Sequence, residues 1–111
     1  MIDDDESPAT IPDPGPSVPD GAVSKDLLII NKRGLHARAS AKFVQTVERF
    51  TAEVWVTRGG ETVGGTSIMG LMMLSAGPGT TITVSAIGPD AEAVVNAITE
   101  LVESKFNEEN L

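Results

Sequence analysis

The sequence predicts an α+β sandwich: one sheet of four short strands with three helices packed on a single face, in the order β-α-β-β-α-β-α. Three observations carry this. Short runs of strand character recur four times, at "DLLIIN", "AEVWVT", "TVGG" and "TTITVSAIG". Three other segments repeat their apolar residues at helical spacing. Finally, 111 residues with 41% hydrophobic content suit one domain with a modest core.

The chain opens with an acidic, proline-rich tail over residues 1–24. It holds five of the seven prolines and six acidic residues with no basic one. Such a segment buries too little apolar surface to offset its ordering entropy, so disorder is expected there. The folded domain is expected over 25–111. Its first strand is "DLLIIN", an apolar run ended by a turn-like segment. From Ala37 to Phe50, apolar residues at 37, 41, 44 and 47 predict a helix, flanked by Phe43 and Phe50. "AEVWVT" alternates, with Ala52, Val54 and Val56 on one side and Trp55 on the other. The glycine turn "RGGE" and the returning "TVGG" make a hairpin.

"TSIMGLMML" begins with a Thr-Ser capping pair and reads as a short helix, broken hard by "AGPG". "TTITVSAIG" alternates through Ile82, Val84 and Ala86. The last segment opens with Pro89 and Asp90 and repeats apolar residues at 91, 94, 95, 98, 101, 102 and 106. It predicts an amphipathic helix of about four turns.

The charge is unevenly spread. The net −8 divides into −6 for residues 1–24 and −2 for residues 25–111, which carry ten acidic and eight basic residues. Five of those eight, Lys32, Arg33, Arg38, Lys42 and Arg49, surround the single histidine, His36. This cluster is either a solvated helix face or a field for an anionic ligand or acidic partner. The absence of cysteine excludes a disulfide framework, thiolate chemistry and a Cys-based zinc site; one histidine excludes a His-rich metal cage. No metal or other cofactor is expected. The start "MIDDDESPAT" has neither the basic nor the apolar region of a secretory signal, and no apolar run is long enough to span a bilayer. A cytoplasmic protein with no membrane insertion is the expectation.

His36 stands at or beside the N-cap of the first helix, where Ser, Thr, Asp and Asn are preferred. A helix N-terminus offers unpaired N–H groups and the positive end of the macrodipole, an anion site. The same field disfavours imidazolium and favours a neutral, nucleophilic ring. Gly34 permits a tight turn into the helix, and Arg33 and Arg38 can reach oxygens held there. These properties suit a histidine that accepts a phosphoryl group, a transfer that needs mainly positioning and electrostatics. The competing reading is an incidental surface histidine.

At these residues the sequence resembles a known family. "GLHARASAKF" is similar to the active-site segment of HPr, the phosphocarrier family of the phosphoenolpyruvate-dependent phosphotransferase system, and "TSIMGLMML" to the family's second signature. The overall character is nearest that of alphaproteobacterial members, with the nitrogen-related paralogue NPr also similar. The resemblance covers the chain outside the tail. It implies an open-faced β-sandwich with a four-stranded antiparallel sheet. It implies that His36 is phosphorylated on Nδ1 by enzyme I and passes the group to IIA proteins, making the chain a stoichiometric carrier and not an enzyme on its own. Arg38 matches the phosphoryl-contacting arginine. Ser67 matches the serine modified by HPr kinase/phosphorylase. Two departures stand out: Ala39 replaces a usual proline, and Thr66 a frequent lysine.

Ser67 also has a plain reading as a helix cap. Beyond it, nine residues cannot bury every side chain, so Ile68, Met69 and Met72 are candidates for an adaptable docking surface on a monomer. An RNA-binding module fits poorly, because no strand shows an aromatic pair and the net charge is negative; no nucleic-acid partner is expected. A small ligand-binding regulatory domain is the other rival, one whose binding would survive loss of His36. A stand-alone enzyme lacks paired carboxylates, a nucleophile–base pair and a P-loop.

Overall fold

The computed structural model describes residues 17–108. The expected tail therefore lies mostly outside the described residues. Four strands form one antiparallel sheet: β1 (Val23–Leu28), β2 (Glu53–Arg58), β3 (Glu61–Gly64) and β4 (Thr81–Ile87). Their order across the sheet is β1-β4-β2-β3. Three helices alternate with them: α1 (Ala37–Val47), α2 (Ile68–Met73) and α3 (Ala91–Glu103). The element order is the expected one. β1 starts and stops earlier than "DLLIIN" suggests, because its ladder with β4 runs only from Val23↔Ala86 to Leu28↔Thr81. α1 ends at Val47, three residues before Phe50.

Alternation decides what each strand buries. Leu27, Val54, Val56, Ile82, Val84 and Ala86 point to one face and are buried. Phe43, Val44 and Val47 of α1, Leu71 of α2, and Val94, Val95, Ile98 and Val102 of α3 close over them. The other sheet face carries rows of hydroxyls: Ser24 bonds Ser85 at 2.8 Å, Thr57 bonds Thr62 at 2.8 Å, and Thr83 donates to Asp26 at 2.7 Å. Trp55 lies half-buried on this face, opposite Ser85 and Gly64.

Local chemistry explains the joints. Gly59 and Gly60 have φ of 58° and 85°, as the two-residue hairpin between Arg58 and Glu61 requires. α3 starts at Asp90, whose carboxylate accepts the Thr51 N–H at 2.7 Å and whose own N–H donates to Thr51 O at 3.1 Å. At the end of α2, Arg58 donates to the Leu74 carbonyl at 3.0 Å. After α3 the chain reverses through a single turn, Lys105–Asn107, whose three residues have φ of 58°, 57° and 57°. Left-handed conformation costs L-residues roughly 1–2 kcal/mol each. The turn is held nonetheless, because Phe106 is fully buried and Lys42 donates to its carbonyl at 2.5 Å.

No helix among the described residues is long and apolar enough to cross a membrane. Nor, among the described residues, do three His, Cys, Asp or Glu side chains cluster as metal ligands.

Candidate functional site

The loop before α1 is built to hold its shape. Gly34 has φ +66° and donates to Asn31 O at 3.3 Å; Leu35 N–H donates to Ala76 O at 2.9 Å. Asn31 is buried, and its Nδ2 donates to Gly34 O at 2.8 Å. These bonds deliver His36 to the N-cap of α1 in extended conformation, with φ −76° and ψ −177°.

His36 caps with its backbone alone. Its carbonyl accepts the first intrahelical bond, from Ser40 N–H at 2.8 Å, while its side chain makes no cap hydrogen bond. The N–H groups of Ala37, Arg38 and Ala39 precede that first bond, so the helix supplies them no carbonyl partner. The imidazole instead bonds through Nε2 to the carboxylate of Glu108, which lies beyond the left-handed turn. Asn31 Nδ2 donates to the other carboxylate oxygen at 3.2 Å. Burial raises the Glu108 pKa. Hydrogen bonds from His36 and Asn31, with the charges of His36 and Lys42, outweigh it and hold the carboxyl below its ordinary value.

Arg38 is exposed in the first turn of α1. Ser67 is the N-cap of α2, and its Oγ accepts the Gly70 N–H at 2.9 Å. Ile68, Met69 and Met72 are exposed, as is Met73; Met69 and Met73 keep 71% and 70% of their surface. α1 packs on α2, so the helices capped by His36 and Ser67 are neighbours. Among the described residues, no hydrogen bond links Ser67 to His36.

Two residues of this arrangement were not expected from the sequence: Glu108 and Asn31. Asn31 closes the apolar run "DLLIIN", whose pattern gives it no role, and nothing in "FNEENL" marks Glu108. Met73 was also missed as part of the exposed apolar face.

The sequence and the fold are similar to those of known proteins. The family profile described as "PTS HPr component phosphorylation site" covers residues 23–104. The phosphocarrier protein HPr of Neisseria meningitidis serogroup A is 49% identical over 86 residues, spanning 78% of this chain and 97% of its own. A phosphocarrier protein NPr from Shewanella violacea is 41% identical over 86 residues, spanning 78% of this chain and 94% of its own. Among solved structures, HPr-C-His from Thermoanaerobacter tengcongensis superposes with a TM-score of 0.75 at 42% identity, covering 78% of this chain and 98% of that one. With the fold and these similarities in agreement, the chain belongs to the HPr family of phosphocarrier proteins of the phosphotransferase system.

Proposed function

We propose that His36 is the residue that carries the phosphoryl group, taking it from phosphoenolpyruvate-charged enzyme I and giving it to a histidine of a IIA protein. The observation that carries this reading is the cap of α1: a histidine occupies it without using its side chain to cap. The ring thus stands beside three N–H groups that have no helical partner, where the macrodipole favours an incoming anion. Nδ1 contributes its lone pair to the new N–P bond. The P–N bond to the donor histidine breaks, and its electron pair stays on the donor nitrogen. Arg38, exposed in the same turn, is the side chain assigned to the phosphoryl oxygens. Ala39 adds an N–H where the family's proline has none.

Incubation with enzyme I and phosphoenolpyruvate tests the reading. One acid-labile phosphoryl group per chain is expected, and none on His36→Ala. Stoichiometric labelling of that variant sinks the assignment.

The finer roles belong to the same proposal. Ser67, an exposed residue at the start of α2, is the residue for HPr kinase/phosphorylase. Ile68, Met69 and Met72 form the docking face, supported by their exposure beside the helix that bears His36. The residues ahead of β1, 1–22, serve as an extension outside the carrier domain. A second reading, a purely regulatory carrier of the nitrogen-related kind, is favoured by the similarity to NPr. Transfer from the charged protein to a sugar-specific IIA or to a nitrogen-related IIA separates the two.

A further inference from the structure

The interaction that the carrier reading leaves unused is the one between His36 and Glu108. These residues are 72 apart in sequence, and their side chains retain only 19% and 11% of their surface. An ionised carboxylate can only accept hydrogen bonds. The ring nitrogen facing it, Nε2, must therefore carry the proton. In a neutral imidazole that leaves the lone pair on Nδ1.

We propose that Glu108 is a positioning residue for His36: its carboxylate holds the ring in the Nε2–H form and presents Nδ1 to the incoming phosphoryl group. The proposal rests on His36 as the phosphoryl carrier. As the N–P bond forms at Nδ1, the ring keeps its Nε2 proton and takes on positive charge, which the adjacent carboxylate stabilises. When the group moves on, the N–P bond breaks, its electron pair returns to Nδ1 and the ring is neutral again. The carboxylate itself is never protonated. An aspartate that orients a histidine in a hydrolase triad acts by the same physics.

Three features show that Glu108 is held in place. Phe106, two residues earlier, is fully buried. Lys42 of α1 grips the Phe106 carbonyl. Asn31 divides its one NH2 group between Gly34 O and Glu108 Oε1, while its buried Oδ1 has no protein partner among the described residues. Flipping that amide would set its oxygen against two acceptors, so its orientation is fixed by the loop and by Glu108 together. A chain reversal through three consecutive left-handed residues persists only where its surroundings over-determine it. Here the surroundings include the histidine.

The test uses the full chain with Glu108→Gln and Glu108→Ala. Long-range 1H–15N NMR, at a pH where the ring is neutral, reads the His36 tautomer without any partner protein. The parent and Glu108→Gln, which still offers an oxygen acceptor, are expected to be almost wholly Nε2–H. Glu108→Ala should show a clear Nδ1–H fraction. Phosphorylation by enzyme I should slow by about tenfold in Glu108→Ala and by less in Glu108→Gln, which loses only the charge. A parental tautomer balance and rate in Glu108→Ala overturns the proposal; so does a lowered melting temperature with neither readout changed. His36→Ala run alongside separates the two ideas. If it is labelled, the carrier assignment falls and takes this proposal with it. If it is not labelled and Glu108→Ala is fully active, only the role of Glu108 is lost.

Discussion

Gly34 lies against the backbone of Ala76 so closely that a Cβ at position 34 would stand 2.3 Å from the Ala76 carbonyl oxygen. That oxygen also accepts the Leu35 N–H at 2.9 Å. The loop entering α1 is thereby clamped to the loop leaving α2. The position of His36 thus depends on a contact between two backbones, which no rotamer change can relieve.

Gly34→Ala should accordingly destabilise the protein by about 3 kcal/mol, combining left-handed strain with overpacking. Gly60→Ala is the control. Its φ is also positive, at +85°, but nothing lies within 4 Å of the added methyl. It should cost only about 1–2 kcal/mol. Urea unfolding of both variants measures the difference; equal losses would mean that the two loops part freely.

The sheet and the helices were legible because their patterns are local. Ile82, Val84 and Ala86 alternate and are all buried, and the stripe from Ala91 to Val102 faces the core. The limits of β1 were not legible, because an apolar run reports burial and not pairing. Ile29 is buried, yet it lies past the ladder and bonds instead to Thr80 O and Gly79 N–H. Ser67 could be read as a cap from its residue type alone. Met73 could not be placed, because six helical residues give too little periodicity to define a face. Glu108 was invisible for a stronger reason. It reaches His36 through Lys105, Phe106 and Asn107 in a left-handed conformation that only Asn107 of the three tolerates readily, fixed by the burial of Phe106.

Ser67 caps α2, and the regulatory role proposed for it is separable from that cap. Removing its Oγ deprives the Gly70 N–H of its acceptor, so Ser67→Ala should cost about 1 kcal/mol, visible as a lower melting temperature. Ser67→Asp keeps an acceptor at the cap and should melt near the parent. Yet it sets a negative charge at the rim of the exposed Ile68, Met69 and Met72 face. Charging by enzyme I should then slow by about tenfold, chiefly in association. An Asp variant charged at the parental rate would show that this rim does not meet an acidic partner.

The left-handed turn makes opposite predictions at adjacent residues. Lys105 is exposed with φ 58°, so glycine there removes strain without removing packing. Against the extra entropy of an unfolded glycine, Lys105→Gly should still stabilise by about 0.5–1 kcal/mol. Phe106 has the same backbone but is fully buried. Phe106→Ala should destabilise by about 3–5 kcal/mol. Thermal melts of the two variants should move in opposite directions.

Acid should remove the stabilisation that the Glu108 carboxylate contributes. Its carboxyl is held below the ordinary value in the folded protein: the hydrogen bonds of His36 and Asn31 and the nearby positive charge of Lys42 win over burial. The unfolded chain therefore binds the Glu108 proton first as pH falls. The stabilisation is complete above the unfolded carboxyl value, about 4.3 for glutamate, and is lost as pH drops through the lower folded value. Glu108→Gln cannot titrate. Its urea midpoint should lie below that of the parent at pH 7, and the gap should narrow steadily once the pH passes below about 4. A gap that stays constant down to the acid limit would mean that the parent's carboxylate gains nothing from His36 and Asn31 in the folded state.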